Sequence, residues 1–116
     1  MEKVTIWHNA RCGKSRQALA LLQENNIDVE VVKYLDKEIT FNELQEIVKK
    51  LGIHAKELLR DTEDEYKKLE LKDVTDEKLI IQAMIKHPKL IQRAIVIKGD
   101  KAILGRPPEK VMELFN

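Results

Sequence analysis

A single cysteine, Cys12, lies among His8, Arg11, Lys14 and Arg16, and no acidic side chain occurs between Lys3 and Gln23. The nucleophilic form of a thiol is its thiolate, and thiol pKa values fall from about 8.5 to roughly 3.5–7.5 in electropositive settings. Ser15 stands three positions after Cys12, where Cys-x-x-Cys enzymes carry their second thiol, so its hydroxyl is placed to donate to the thiolate. The chemistry this predicts is covalent attack by Cys12. With no second cysteine in the chain, an external thiol has to resolve the adduct. A lone cysteine can also be a small buried hydrophobe, but one that opens a helix has no structural need to be there.

The flanking elements explain how the sulfur is held. Residues 3–7 (KVTIW) read as a strand, followed by a polar loop from His8 to Arg11. From Gly13 to about Glu24, Ala18, Leu19, Leu21 and Leu22 recur at helical spacing, and Asn25-Asn26 closes the segment. Residues 29–34 (VEVVKY) read as a second strand. Strand, helix, strand is a βαβ unit with parallel strands. Cys12 therefore meets the unpaired N–H groups and positive end of the first helix, which favour an anion.

A helical section follows. Thr40 and Glu43 form a capping box, and Phe41, Leu44, Ile47, Val48 and Leu51 make one face up to Gly52. Residues 55–59 and 65–69 read as short turns, and Thr75 or Asp76 opens a helix that runs to Lys86 and ends at His87-Pro88. That helix is apolar at 79–81 and 83–85, nearly all round, so it is expected to be well covered. Residues 94–98 and 101–104 then form a hairpin about Gly99-Asp100, and Pro107-Pro108 opens a last helix with Val111, Met112, Leu114 and Phe115 as its stripe. The order predicts an α/β domain over residues 1–116: a thioredoxin-like βαβ…ββα mixed sheet with a helical insertion at about 40–88.

Composition excludes several function classes. Twenty-one basic against twenty acidic residues leave a formal charge of +1, which gives no global drive toward nucleic acid or an anionic membrane. No apolar run approaches the roughly 20 residues of a membrane span. The opening MEKVTIW is too short and too soon polar for a signal peptide, so a cytoplasmic location is expected. Three scattered histidines and one cysteine show no metal-ligand spacing, and no tightly bound cofactor is expected.

The segment His8-Asn9-Ala10-Arg11-Cys12-Gly13-Lys14-Ser15-Arg16 closely resembles the first active-site segment of the glutaredoxin-coupled arsenate reductases. The resemblance continues through Leu58-Leu59-Arg60, His87 to Arg93 and Gly105-Arg106-Pro107, essentially end to end and in register. It implies a thioredoxin-like fold in which Cys12 attacks arsenate. It also implies that Arg60, Arg93 and Arg106 bind the oxyanion, and that His8 and Ser15 tune the thiol. Planar guanidinium forks suit this task, because a charged oxyanion repels a thiolate until its charge is neutralised. Taken singly, Arg60 is equally placed to pair with Asp61 or Glu63, and Arg93 and Arg106 to be strand-end and turn charges. Taken together, they flank element ends that such a fold brings toward the Cys12 loop.

The family likeness further implies glutathione as co-substrate and glutaredoxin as partner, and the chain is expected to be a monomer. Two other functions fit the same family: a glutathione-dependent thiol reductase inactive on arsenate, and a non-catalytic regulator that binds RNA polymerase. Members of the latter branch commonly carry a Cys-x-x-Cys switch, which Ser15 removes here. One departure concerns the proline that the family usually carries, as a cis residue, directly before the third strand. Here Arg93 is followed by Ala94, and local preference predicts a trans bond, since a non-proline cis bond costs about 2.5–4 kcal/mol.

Overall fold

The computed structural model describes residues 3–115. Met1 and Glu2, which begin the stretch judged too short for a signal peptide, lie outside the described residues, as does Asn116. The chain divides into two compact units, one of the segments up to Lys37 and from Arg93 onward, the other of Glu38–Gln92.

The first unit is built on a four-stranded mixed sheet in the order β2-β1-β3-β4. Strand β1 (Val4–Trp7) leads into helix α1 (Gly13–Glu24), and β2 (Val29–Val32) returns parallel to β1. Strand β3 (Ile95–Lys98) pairs antiparallel with β1, and β4 (Lys101–Leu104) antiparallel with β3, across a turn in which Gly99 has a φ of 60°. This is the mixed α/β, thioredoxin-like arrangement that the element order predicts. Alternation along the strands sends Val4, Ile6 and Val96 to one face, where they bury Ala18 and Leu22 of α1, with Ala94 and Val111.

Three details of this unit differ from expectation. β2 stops at Val32, and Tyr34 instead starts a 3-10 turn (Tyr34–Asp36), where its ring stacks on Trp7 at 5.7 Å. Burying that aromatic pair outweighs the strand propensity of the VEVVKY run. The closing segment Pro108–Phe115 forms a 3-10 helix, with Val111 fully buried and Met112, Leu114 and Phe115 partly so. The Arg93–Ala94 peptide bond is cis, as is Arg106–Pro107. The trans expectation for Ala94 rested on local preference alone, and the surroundings that fix this backbone are tertiary: Ala94 is fully buried, and its carbonyl accepts the Gly105 N–H at 2.8 Å.

In the second unit, α2 (Phe41–Leu51) begins with both bonds of the Thr40–Glu43 capping box and ends at Gly52, whose φ of 68° suits glycine. After the 3-10 turn Ala55–Leu58, Leu59 bridges to Ile91, and the Arg60 N–H donates to the Leu90 carbonyl at 2.7 Å. A short α3 (Asp64–Lys68) precedes α4 (Glu77–Lys86), which Asp76 rather than Thr75 caps by accepting the Lys78 and Leu79 N–H groups. α4 buries Ile80, Ile81 and Met84, as expected of a well-covered helix, while Leu79 on its remaining side is 54% exposed. No helix among the described residues is long and apolar enough to cross a membrane.

Candidate active site

Cys12 occupies the N-cap of α1 with extended backbone, φ −98° and ψ 123°. Its side chain makes no capping bond and the first turn holds no acid, so neither competes for the helix N–H groups. The loop that carries it is tied internally. The Cys12 N–H donates to the Asn9 carbonyl at 3.0 Å, the Arg11 N–H to Asn9 Oδ1 at 3.0 Å, and Arg16 Nη1 to the Ala10 carbonyl at 2.8 Å. Asn9 thus folds the loop through an Asx turn. The sulfur is left partly exposed.

Burial pushes the Cys12 thiol up, yet its pKa ends below the ordinary thiol value. The Arg93 side chain lowers it most, the backbone N–H groups of Ser15 and Lys14 at the head of α1 act the same way through their dipoles, and the charge of Arg93 contributes as well. Each of these favours the anion. The electropositive setting read from the sequence is therefore real, but its principal cation comes from the start of β3 rather than from the loop. Arg93 Nε is buried and has no hydrogen-bond partner among the described residues.

Ser15 is fully buried, and its hydroxyl is engaged elsewhere than on the sulfur. Its oxygen accepts the Asn9 N–H at 3.0 Å and stands 2.7 Å from His8 Nδ1. The expectation that this hydroxyl donates to the thiolate is corrected: the hydroxyl is held by His8 and Asn9, and what Ser15 offers the thiolate is the dipole of its backbone N–H. His8 is buried at the end of β1, where its N–H donates to the Val32 carbonyl at 2.8 Å. Burial, then the charges of Lys33 and Arg16, hold its pKa below the ordinary histidine value, so the ring is neutral at neutral pH. Buried His8 and Ser15, with half-buried Asn9, form a polar brace under the Cys12 loop.

The structure thus brings Cys12, His8, Ser15 and Arg93 together within the first unit. Arg106, in the same unit, follows Gly105 at the end of β4, and its side chain is exposed and has a partner. Gly105 packs tightly, since a Cβ there would come within 3.1 Å of Val111 Cγ1 and 3.4 Å of the Ala18 Cβ. Arg60 belongs to the second unit, where its guanidinium pairs with Glu63 at 3.5 Å, one of the two surface partners the sequence offers it. Asn9 went unassigned in the sequence, although an Asn two residues before a backbone turn is the available sign of an Asx turn. No group of three or more His, Cys, Asp or Glu among the described residues could hold a metal ion.

The pattern of the ArsC family matches residues 7–114 of this chain. The chain is 44% identical over 114 residues to the arsenate reductase of Haemophilus influenzae, covering 97% of this chain and 98% of that one. It is 47% identical over 115 residues to the uncharacterized Escherichia coli protein YfgD, with 97% of each chain covered. Among solved structures, the arsenate reductase from Vibrio cholerae matches with a TM-score of 0.93 at 40% identity, again over 97% of both chains.

Proposed function

Because the chain belongs to the ArsC family, we propose that it is a thiol-dependent oxidoreductase that reduces arsenate to arsenite through Cys12. The observation that carries the reading is the Arg93 guanidinium on the Cys12 sulfur, with its buried Nε–H unspent. One planar cation then stabilises the nucleophile and keeps a donor for the oxyanion it attacks. Cys12 thiolate displaces hydroxide or water from arsenic, forming a sulfur–arsenic(V) bond with no change in oxidation state. A glutathione thiolate then attacks the Cys12 sulfur. The electron pair of the sulfur–arsenic bond passes to arsenic, arsenite leaves, and Cys12 is left as a mixed disulfide with glutathione. Glutaredoxin takes up the glutathionyl group by thiol–disulfide exchange and restores Cys12. Arg106 and Arg60 join this reading as matches to the family's oxyanion-binding arginines.

The test is arsenate-dependent consumption of glutathione by purified protein with glutaredoxin and glutathione reductase. Cys12→Ser is expected to abolish turnover. Arg93→Ala and Arg106→Ala are expected to reduce it by about 10²–10³-fold where a transition-state donor is lost, with Arg60→Ala as the third member of the series. Arsenate reduction that survives Cys12→Ser would overturn the reading. Exchange of Cys12 with glutathione in the absence of any arsenate activity would move the assignment to the glutathione-dependent thiol reductase.

A further inference from the structure

The thiol is served by Arg93 and by backbone N–H groups, which leaves the loop's own cations with a different task. Arg11, Lys14 and Arg16 are exposed around Cys12, and Lys33 is exposed just past Val32, beside which the His8 N–H is bonded. None of the four makes an ion pair among the described residues. Of the acids of the same unit, Glu24 stands at the far end of α1 and Glu30 pairs with Lys3. Asp36, the acid nearest Lys33 in the chain, sits in the turn Tyr34–Asp36. Exposed and without acidic partners, these cations make the entrance to Cys12 a locally positive surface.

We propose that Arg11, Lys14, Arg16 and Lys33 form a cationic collar that docks the carboxylates of an anionic low-molecular-mass thiol, glutathione, as it approaches Cys12. The inference rests on the reading of Cys12 as a glutathione-resolved nucleophile and adds the recognition element to it. The tripeptide carries two carboxylates and one ammonium, so it enters a positive field with a net negative charge. Arg16 has a second duty, because its guanidinium already straps the Ala10 carbonyl. Removing the side-chain charge of Arg11 or Lys33 leaves the loop's hydrogen bonds intact.

The experiment contains no arsenate, so it can fail or succeed independently of the arsenate reading. Cys12 thiolate attacks one sulfur of a disulfide, a new sulfur–sulfur bond forms as the old one breaks, and the second half leaves as a thiolate. Rates of this exchange are measured with glutathione disulfide, which is anionic, hydroxyethyl disulfide, which is neutral, and cystamine, which is cationic. Wild type is compared with Arg11→Gln, Lys33→Gln and the double variant at low and high salt. With glutathione disulfide, each removed charge is expected to slow exchange about three- to fivefold at low salt, and high salt is expected to erase the difference. The neutral probe should be unchanged and the cationic one accelerated. Equal slowing of all three probes would mean that these cations act on the thiol itself, and would overturn the proposal. Unchanged rates with every probe would overturn it too.

Discussion

Replacing Arg93 with alanine should slow alkylation of Cys12 about tenfold on the acidic limb of its pH profile, and change it little on the alkaline plateau. The sulfur is pulled in two directions: burial disfavours the thiolate, while the Arg93 bond, the Ser15 and Lys14 N–H groups and the Arg93 charge favour it. Truncation removes both contributions from Arg93 and leaves burial and the backbone N–H dipoles in place. A hydrogen bond to a charged group is worth about 1.5–3 kcal/mol. Cys12 is partly exposed, and solvent screening calls for the lower end, about 1.5 kcal/mol, which is close to a factor of ten. Only the thiolate reacts, so the variant's profile should shift to higher pH and meet the wild-type plateau once both thiols are ionised. Iodoacetamide alkylation, followed across that range, reads this directly. Arg93→Lys, which keeps the charge without the planar fork, should fall between the two. Coincident profiles for wild type and Arg93→Ala would refute the assignment of Arg93 as the cation that holds the thiolate.

Two further outcomes follow from the brace and from the second unit. His8 is held below the ordinary histidine range by burial and by Lys33 and Arg16. Its contribution to stability is therefore complete above about pH 6.5, and is lost as the pH falls through that value toward the folded-state one. Urea unfolding of His8→Gln should show a shallower acid limb than wild type in that window, and parallel limbs would argue against the brace. Thr40→Ala removes the acceptor for the Glu43 N–H at 3.1 Å and should cost about 1 kcal/mol in the same assay, with Thr40→Ser close to neutral. An unchanged midpoint would mean that the capping box contributes nothing to the second unit.

What was legible in the sequence was local. The βαβ unit, the capping box at Thr40, the hairpin about Gly99 and the place of Cys12 at the head of α1 depend on neighbours within a few residues, and all are present. What was hidden depends on groups distant in the chain. The stacking of Tyr34 on Trp7 ends β2 early, and the buried setting of Ala94 accompanies a cis bond that neighbour preferences do not suggest. The Cys-x-x-Ser spacing pointed to the Ser15 hydroxyl as a donor to the sulfur, which the structure does not bear out. The reason lies with His8 and Asn9, which occupy the hydroxyl. The arginine match placed Arg93 at the site, whereas only the structure shows its guanidinium on the sulfur, and shows Arg60 paired with Glu63 within its own unit.

The electrostatics of the loop explain why its basic composition was suggestive for an incomplete reason. In water, a unit charge about 8 Å from a thiolate contributes only about 0.5 kcal/mol, and physiological salt reduces that further. A directed bond from a guanidinium or an N–H group at the same sulfur contributes several times as much. Exposed side chains such as Arg11 and Lys14 are thus poor activators of a half-open thiol, however many of them the sequence supplies. Their fields nevertheless add, and a ligand with several negative charges feels the sum at a distance where no hydrogen bond exists. The one cation fixed by a hydrogen bond to the sulfur and the four that face solvent therefore serve different purposes. The first sets how reactive the sulfur is, and the others set which molecules reach it.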